Sequence, residues 1–380
     1  MNIDAIQSAF DNNFIDHGEI GASLSVWKGD AALVELGSGF QDKEMSVPWT
    51  SDTPVLVWSA TKGLASTCLL HALEACNLPL ETRVAHLWPQ FAKAGKQDIT
   101  IRMLLEHQAG LCALDQAPPV EDTEAVLNAL ENQPPAWPPG SAHGYHPRTF
   151  GFLMDGVLQK LTGSETIGYY WRRNFAEPLG LDFWIGVPED VLPRVAPVFA
   201  PKGLMPKDDP FFTAFMTPGS LTSRSFASPK GLHSAGAMNL REARMSSYPG
   251  FGGIGTASAL AKFYAMLACG GALNGKVYFK SETLAHLEQP HTQGMDKVLC
   301  METAFSCGFM KDPIAQDKGR KTRQTFGPNA AAFGHPGAGG SIAFADPTKG
   351  IGVAYVMNQM APGVLPNERA LQLITACYSD

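Results

Sequence analysis

Apolar residues recur at helical spacing at Ile3, Ile6, Phe10 and Phe14, which predicts an N-terminal helix. Two short apolar runs follow, Gly21 to Trp27 and Ala31 to Gly37, and the turn residues Lys28-Gly29-Asp30 between them predict a hairpin. The other end mirrors this. Ser341 to Ala345 and Ile351 to Met357 are strand-like runs separated by Asp346-Pro347-Thr348-Lys349-Gly350, and a last helix beginning near Pro366 puts Ala370, Leu373, Ile374 and Cys377 on one stripe. Between about 59 and 190 the pattern is helical, as in Leu64, Cys68, Ala72 and Ala75, with Pro-rich breaks at 117–119 and 134–139. Strands at both termini and helices between them predict an α+β fold. One antiparallel sheet is built from the N- and C-terminal segments and flanked by helices (residues 1–58 with 240–380), and a mainly helical domain (59–239) is inserted, with the active site in the cleft between. Residues 200–236 are rich in Pro, Gly and Ser yet carry Met205, Phe211, Phe212, Phe215 and Met216. Such a segment is either a loop packed on the core or an apolar rim over the cleft.

Composition narrows the function classes. A chain of 380 residues, 45% hydrophobic and 17% charged, can build a large core without disulfides or a structural metal. Its 36 acidic and 29 basic residues leave a net charge of -7, which repels a phosphate backbone and argues against a nucleic-acid partner. Met1-Asn2-Ile3-Asp4 has neither a basic n-region nor an apolar h-region, so a cytoplasmic protein is expected. No apolar run approaches the length of a bilayer span, so no membrane association is expected. Seven scattered cysteines without a C-x-x-C read as reduced, mostly buried thiols.

The candidate chemistry begins at Ser59-Ala60-Thr61-Lys62, an S-x-x-K pattern. The chain holds a second match, Ser25-Val26-Trp27-Lys28, and geometry separates them. In a strand a spacing of three sends the two side chains to opposite faces, whereas at a helix start it places Ser59 and Lys62 one turn apart on one face. A serine hydroxyl needs a base within reach, and a lysine serves only if burial or neighbouring cations lower its pKa. The helix N-terminus adds N–H groups for a developing oxyanion. A second element is Tyr145, within His143-Gly144-Tyr145-His146-Pro147-Arg148. The third is Phe333-Gly334-His335-Pro336-Gly337-Ala338-Gly339-Gly340-Ser341, whose glycines permit close approach of another backbone.

In this order the three segments resemble class C serine β-lactamases and the related family VIII carboxylesterases and D-alanyl-D-alanine peptidases, the family VIII esterases most closely. Leu104 to Leu111 and Gly252 to Ala257 are similar to intervening segments of that superfamily. The resemblance implies that Ser59 is acylated and that Lys62 shuttles protons. It makes Tyr145 a base and acid, and gives the oxyanion hole to the backbone N–H groups of Ser59 and Ala338. His335 and Gly337, standing where the family has K-T-G, would bind substrate. It implies no cofactor and no metal. Two departures from the lactamase pattern stand out: Pro147 replaces the asparagine of Y-x-N, and His335 replaces a permanent cation. Both favour small esters over penicillins, with β-lactamase, peptidase or acyltransferase activity as alternatives and a catalytically silent binding module as the reading from another class. In the expected mechanism the first proton goes either to Tyr145, its pKa depressed by Lys62, or to Lys62 itself.

Competing readings are weaker. There is no G-x-S-x-G and no H-E-x-x-H; the pairs His143/His146 and His286/His291 read as surface or capping residues. The basic stretch Lys311, Lys318, Arg320, Lys321 and Arg323, interleaved with Asp312 and Asp317, reads as a solvated loop. The expected partner is a small-molecule ester, and nothing in the residues decides the oligomeric state.

Overall fold

A computed structural model describes residues 1–202, 208–315 and 319–379. Met205, Asp317 and Lys318 lie outside the described residues. The first helix spans Ile3–Asp16, its N-terminus capped by the Asn2 side chain, which accepts from the Ala5 N–H at 3.1 Å. Strands Gly21–Lys28 and Ala31–Gly39 form the expected hairpin, with Val26 opposite Val34 and a register shift between Val26 and Trp27. Together with Thr292–Met295, Glu302–Ser306, Phe309–Lys311, Phe333–Pro336, Ile342–Asp346 and Ile351–Met357 they make one eight-stranded antiparallel sheet. In that sheet Gly21–Lys28 pairs with Ile351–Met357, so the two ends of the chain meet in its interior.

Both faces of this sheet are covered, which explains why Ile351–Met357 is buried throughout rather than alternating. Ile342, Phe344, Val353 and Tyr355 face one apolar cluster, which includes residues of Ile3–Asp16 and of the last helix, Glu368–Cys377. Ala343, Ala345, Ala354 and Val356 face the other, with helices Thr61–Ala75 and Ala257–Ala268. Gly352 is required for this packing: a Cβ there would lie 2.1 Å from the Ala261 carbonyl oxygen and 2.2 Å from the Ala265 nitrogen. Helices Ile101–Leu105, Thr123–Asn132, Thr149–Thr162 and Ile167–Trp171 lie beyond Thr61–Ala75 in sequence and pack on it or on one another.

Thr61–Ala75 has no polar face. It is buried on all sides from Thr61 to Leu70, as expected of a helix enclosed between layers. Its internal polar side chains are satisfied locally: the Ser66 hydroxyl donates to the Lys62 carbonyl at 2.8 Å and that of Thr67 to Gly63 at 2.7 Å.

The basic stretch differs from expectation. Lys311 is a strand residue and fully buried, its ammonium donating to the carbonyls of Glu288 (2.7 Å), Ala332 (3.0 Å) and Ala331 (3.1 Å). The Lys321 side chain is only 5% exposed and pairs with Asp312 at 3.0 Å. Orphan carbonyls, including one at the end of helix Ser281–Glu288, draw these cations inward. Residues 210–227 form two short helices, Pro210–Met216 and Leu221–Ala227, joined by an aromatic cluster of Phe211, Phe212, Phe215 and Phe226 with ring centroids 5.2–5.8 Å apart. All seven cysteines are free thiols; Cys76 and Cys269 are exposed, while Cys68, Cys112, Cys307 and Cys377 are buried. No helix among the described residues is long and apolar enough to cross a membrane.

Candidate active site

Ser59 lies in a single 3-10 turn, Trp58–Ala60, that leads directly into helix Thr61–Ala75. Trp58 holds a left-handed backbone (φ 49), a conformation costing about 1 kcal/mol or more in a bulky residue. The Thr61 hydroxyl, donating to the Trp58 carbonyl at 2.5 Å and accepting from the Gly253 N–H at 2.8 Å, ties this turn to the neighbouring strand Gly253–Gly255. Ser59 is half-buried, and Lys62 one turn later is completely buried.

Lys62 Nζ is hydrogen-bonded to Ser59 Oγ at 3.1 Å, to the Gly250 carbonyl at 2.7 Å and to the Pro147 carbonyl at 2.9 Å. No carboxylate pairs with it among the described residues. Burial, reinforced by the Arg148 guanidinium, holds its pKa well below 10.5. Pro147, which removes a side-chain amide from the Y-x-N position, therefore contributes through its backbone carbonyl.

Tyr145 is buried beside this pair. Lys62 Nζ stands 4.9 Å from its ring centroid, and the Ser59 side chain is among the groups that act on its phenol. The expectation that Lys62 depresses the Tyr145 pKa is overturned. Burial raises it well above 10, the neighbouring Ser59 side chain lowers it only partly, and the nearby Asp296 charge raises it further. A cation over the ring face does not offset the desolvation of a buried phenolate.

The glycine-dense segment reaches the same point from the sheet. Strand Phe333–Pro336 ends at Gly337, whose N–H donates to the Ser341 carbonyl at 2.7 Å, while the Ser341 hydroxyl donates to the Val57 carbonyl at 3.0 Å. The turn at Ala338 is thus latched to the residue two before Ser59. Among the described residues the N–H groups of Ser59 and Ala338 are unengaged. A Cβ at Gly337 would lie 2.1 Å from the Val57 oxygen and 2.2 Å from Ser341 Oγ. Gly337→Ala is expected to cost about 1–3 kcal/mol of stability and to lower kcat by more than tenfold. Thermal melts and ester turnover on the same sample would check both.

His335 lies differently from a substrate-contacting residue. It is 1% exposed, its ring centroid 5.8 Å from that of Tyr145, and Nδ1 donates to the Pro336 carbonyl at 2.7 Å. Nε2 is buried without a partner, and burial together with the Lys62 charge lowers its pKa to about 3, so the imidazole is neutral. His143 and His146 are buried too, not at the surface as the sequence suggested. His146 Nδ1 donates to the Gly144 carbonyl (2.7 Å) while Nε2 accepts from the Leu111 N–H (3.0 Å), and His143 Nε2 meets Thr303 Oγ1 at 2.8 Å. His107, which carries no motif, packs its ring 5.0 Å from Tyr145 and accepts at Nδ1 from the His146 N–H. His291 does come near Glu106 and Cys307, but the Arg102 guanidinium touches both of the latter and supplies the cation there.

A serine hydrogen-bonded to a buried lysine, with a buried tyrosine beside it, at a helix start flanked by a sheet edge, is an arrangement suited to a serine hydrolase of the β-lactamase and penicillin-binding-protein fold. The Beta-lactamase family model matches residues 6–376, and the chain belongs to that family. It is 30% identical over 362 residues to the Esterase/beta-lactamase LipL of Mycobacterium tuberculosis, covering 92% of this chain and 80% of that protein. Among solved structures it is similar to a penicillin-binding protein homologue from Caulobacter crescentus (TM-score 0.86, 35% identity, 98% of this chain and 96% of that one). It is similar also to a family VIII carboxylesterase (TM-score 0.87, 32% identity, 98% and 96%).

Proposed function

We propose that the protein is a carboxylesterase that cleaves small esters through an acyl intermediate on Ser59. The observation that carries the reading is the set of partners around Lys62. A neutral amine has two N–H donors and one lone pair. The carbonyls of Gly250 and Pro147 take the two donors, which leaves the lone pair for the Ser59 hydroxyl proton. Its lowered pKa makes that neutral form available, and the raised pKa of Tyr145 keeps the phenol protonated. Lys62 is accordingly the first base and Tyr145 the first acid.

Lys62 accepts the Ser59 proton as Oγ bonds to the ester carbonyl carbon, and the resulting oxyanion sits between the N–H groups of Ser59 and Ala338. The C–O bond to the alcohol then breaks as Tyr145 supplies a proton to the departing alkoxide, and the proton held by Lys62 returns to the phenolate so formed. Water attacks the acyl-serine by the same steps in reverse. Another alcohol in place of water would make the same site an acyltransferase.

Preference for neutral esters rests on the charge and polarity of the residues around Tyr145. A β-lactam presents a carboxylate, and the residue at the family's cationic position, His335, is buried and neutral. Tyr145 shares an apolar cluster with Phe211, Phe212, Phe215, Phe226 and Met301, which suits an uncharged, apolar acyl or alcohol group. The name of the mycobacterial relative joins both activities, so the two are to be measured side by side. Nitrophenyl butyrate is expected to turn over at least a hundredfold faster, by kcat/KM, than a chromogenic cephalosporin. Faster cephalosporin turnover would reverse the assignment. Absence of ester turnover together with no labelling by an alkyl fluorophosphonate would make the protein a silent binding module.

A further inference from the structure

The loop at 296–299 bears no motif, yet it holds the segment that carries Tyr145. Asp296 is 1% exposed and has no Lys, Arg or His partner among the described salt bridges. Its carboxylate is satisfied by backbone and hydroxyl donors alone. The Tyr145 N–H points at both oxygens at 3.0 Å, the Val298 and Leu299 N–H groups donate to Oδ1 at 2.8 Å, and the Thr303 hydroxyl donates to Oδ2 at 3.1 Å. Thr303 in turn accepts from His143 Nε2. One residue on, the Lys297 N–H donates to the His143 carbonyl at 3.1 Å. The two segments 143–145 and 296–297 are thus stitched together on either side of Gly144, where a Cβ would meet Trp137 at 2.8 Å and Val298 at 3.1 Å.

A buried charge is costly unless its lone pairs are filled, and here four donors fill them. One side-chain oxygen gathers the N–H of a remote tyrosine together with two from its own turn, and the second oxygen of the carboxylate takes the Thr303 hydroxyl. The Thr222 hydroxyl, donating to the Val298 carbonyl at 2.7 Å, anchors the same turn to helix Leu221–Ala227.

We propose that Asp296 is a positioning residue that fixes the backbone of Tyr145, and through it the phenol, against Ser59. The proposal rests on the acid role given to Tyr145 above and adds the group that sets its place. A displacement of about 1 Å at a reacting group can cost on the order of a hundredfold in rate. The loss should fall where the acid is needed: an alkoxide must be protonated to leave, whereas a nitrophenolate leaves unaided.

The test compares ethyl butyrate with nitrophenyl butyrate for the wild type, Asp296→Ala, Asp296→Asn, Tyr145→Phe and the double variant Asp296→Ala/Tyr145→Phe. For Asp296→Ala, kcat/KM on the ethyl ester, which reports acylation and not the deacylation common to both esters, should fall about a hundredfold. The loss on the nitrophenyl ester should be at least tenfold smaller. Asp296→Asn keeps an oxygen that accepts from Tyr145, Val298 and Leu299 but loses the acceptor for the Thr303 hydroxyl, so its loss on the ethyl ester should be smaller than that of Asp296→Ala yet still present. In the Tyr145→Phe background, Asp296→Ala should cause no further loss. Equal losses on both esters, or additive losses in the double variant, would mean that Asp296 serves stability alone and would overturn the proposal. If Asp296→Ala does not fold, Asp296→Asn decides. A partial loss confined to the ethyl ester sustains the proposal, and wild-type rates on both esters overturn it. Full activity of Tyr145→Phe would instead remove the acid role itself, whatever the Asp296 variants do.

Discussion

Ser59→Ala is expected to lower kcat on any ester by roughly a millionfold and to eliminate labelling by an alkyl fluorophosphonate, while the melting temperature stays within a few degrees of the wild type. The hydroxyl is half-buried and its loss leaves Lys62 still bonded to two carbonyls, so little stability is at stake. The control is the other S-x-x-K serine. Ser25 is in strand Gly21–Lys28, where its hydroxyl donates to the Val34 carbonyl at 3.3 Å and accepts from the Trp27 indole at 3.1 Å. Ser25→Ala should cost about 1 kcal/mol of stability and leave activity intact. Mass spectrometry of the labelled protein locates the modified serine; a phosphonate on any residue other than Ser59 would remove the basis of the mechanism.

Replacement of Lys62 has the second largest expected effect, and the choice of replacement tests the protonation state. Lys62→Arg keeps the charge but supplies a group that does not give up its proton in the working range, so it should be as inactive as Lys62→Ala, each losing roughly four orders of magnitude or more. Were Lys62 to act as a fixed ammonium, arginine would retain much of the rate. The wild-type profile follows from the same two shifts. The active form carries neutral Lys62, whose pKa lies well below 10.5, so kcat/KM should rise with pH through that lowered value and then level off. Tyr145, with its pKa raised above 10, should cause no alkaline fall below pH 10. A rate falling between pH 8 and 10 in step with phenol ionisation would mean that the phenol's pKa is not raised, and a rate rising with that ionisation would make Tyr145 a base rather than an acid.

The local parts of this arrangement were legible in the residues. A spacing of three at a helix start puts a serine and a lysine on one face whatever the rest of the chain does, and alternating or continuous apolar runs identify the terminal hairpins. Gly337 was legible as a place of close approach, because the lack of a Cβ is itself the signal. Asp296 left no trace of this kind, since the groups it satisfies are backbone N–H donors that every residue but proline carries. The same holds for the two carbonyls that receive Lys62, at Pro147 and Gly250, which lie 85 and 188 residues away in sequence. Strands Thr292–Met295 and Phe309–Lys311 were missed because they are short and polar in part, and their pairing, not their composition, makes them strands.

Burial was the other quantity hidden from sequence. His143, His146 and His335 each suit an exposed loop by composition, and each is enclosed because the sheet, the helix after Ser59 and the 296–299 loop close on the same point. That enclosure sets the sign of the decisive shifts, downward for Lys62 and upward for Tyr145, on which the proposed roles of base and acid rest. The order of amino acids determined which reactive groups exist and which of them are neighbours along a helix, because those relations follow from covalent spacing. Folding alone decided which groups lose their water and which distant backbone atoms they face, because desolvation and hydrogen bonding across the chain depend on packing rather than on spacing.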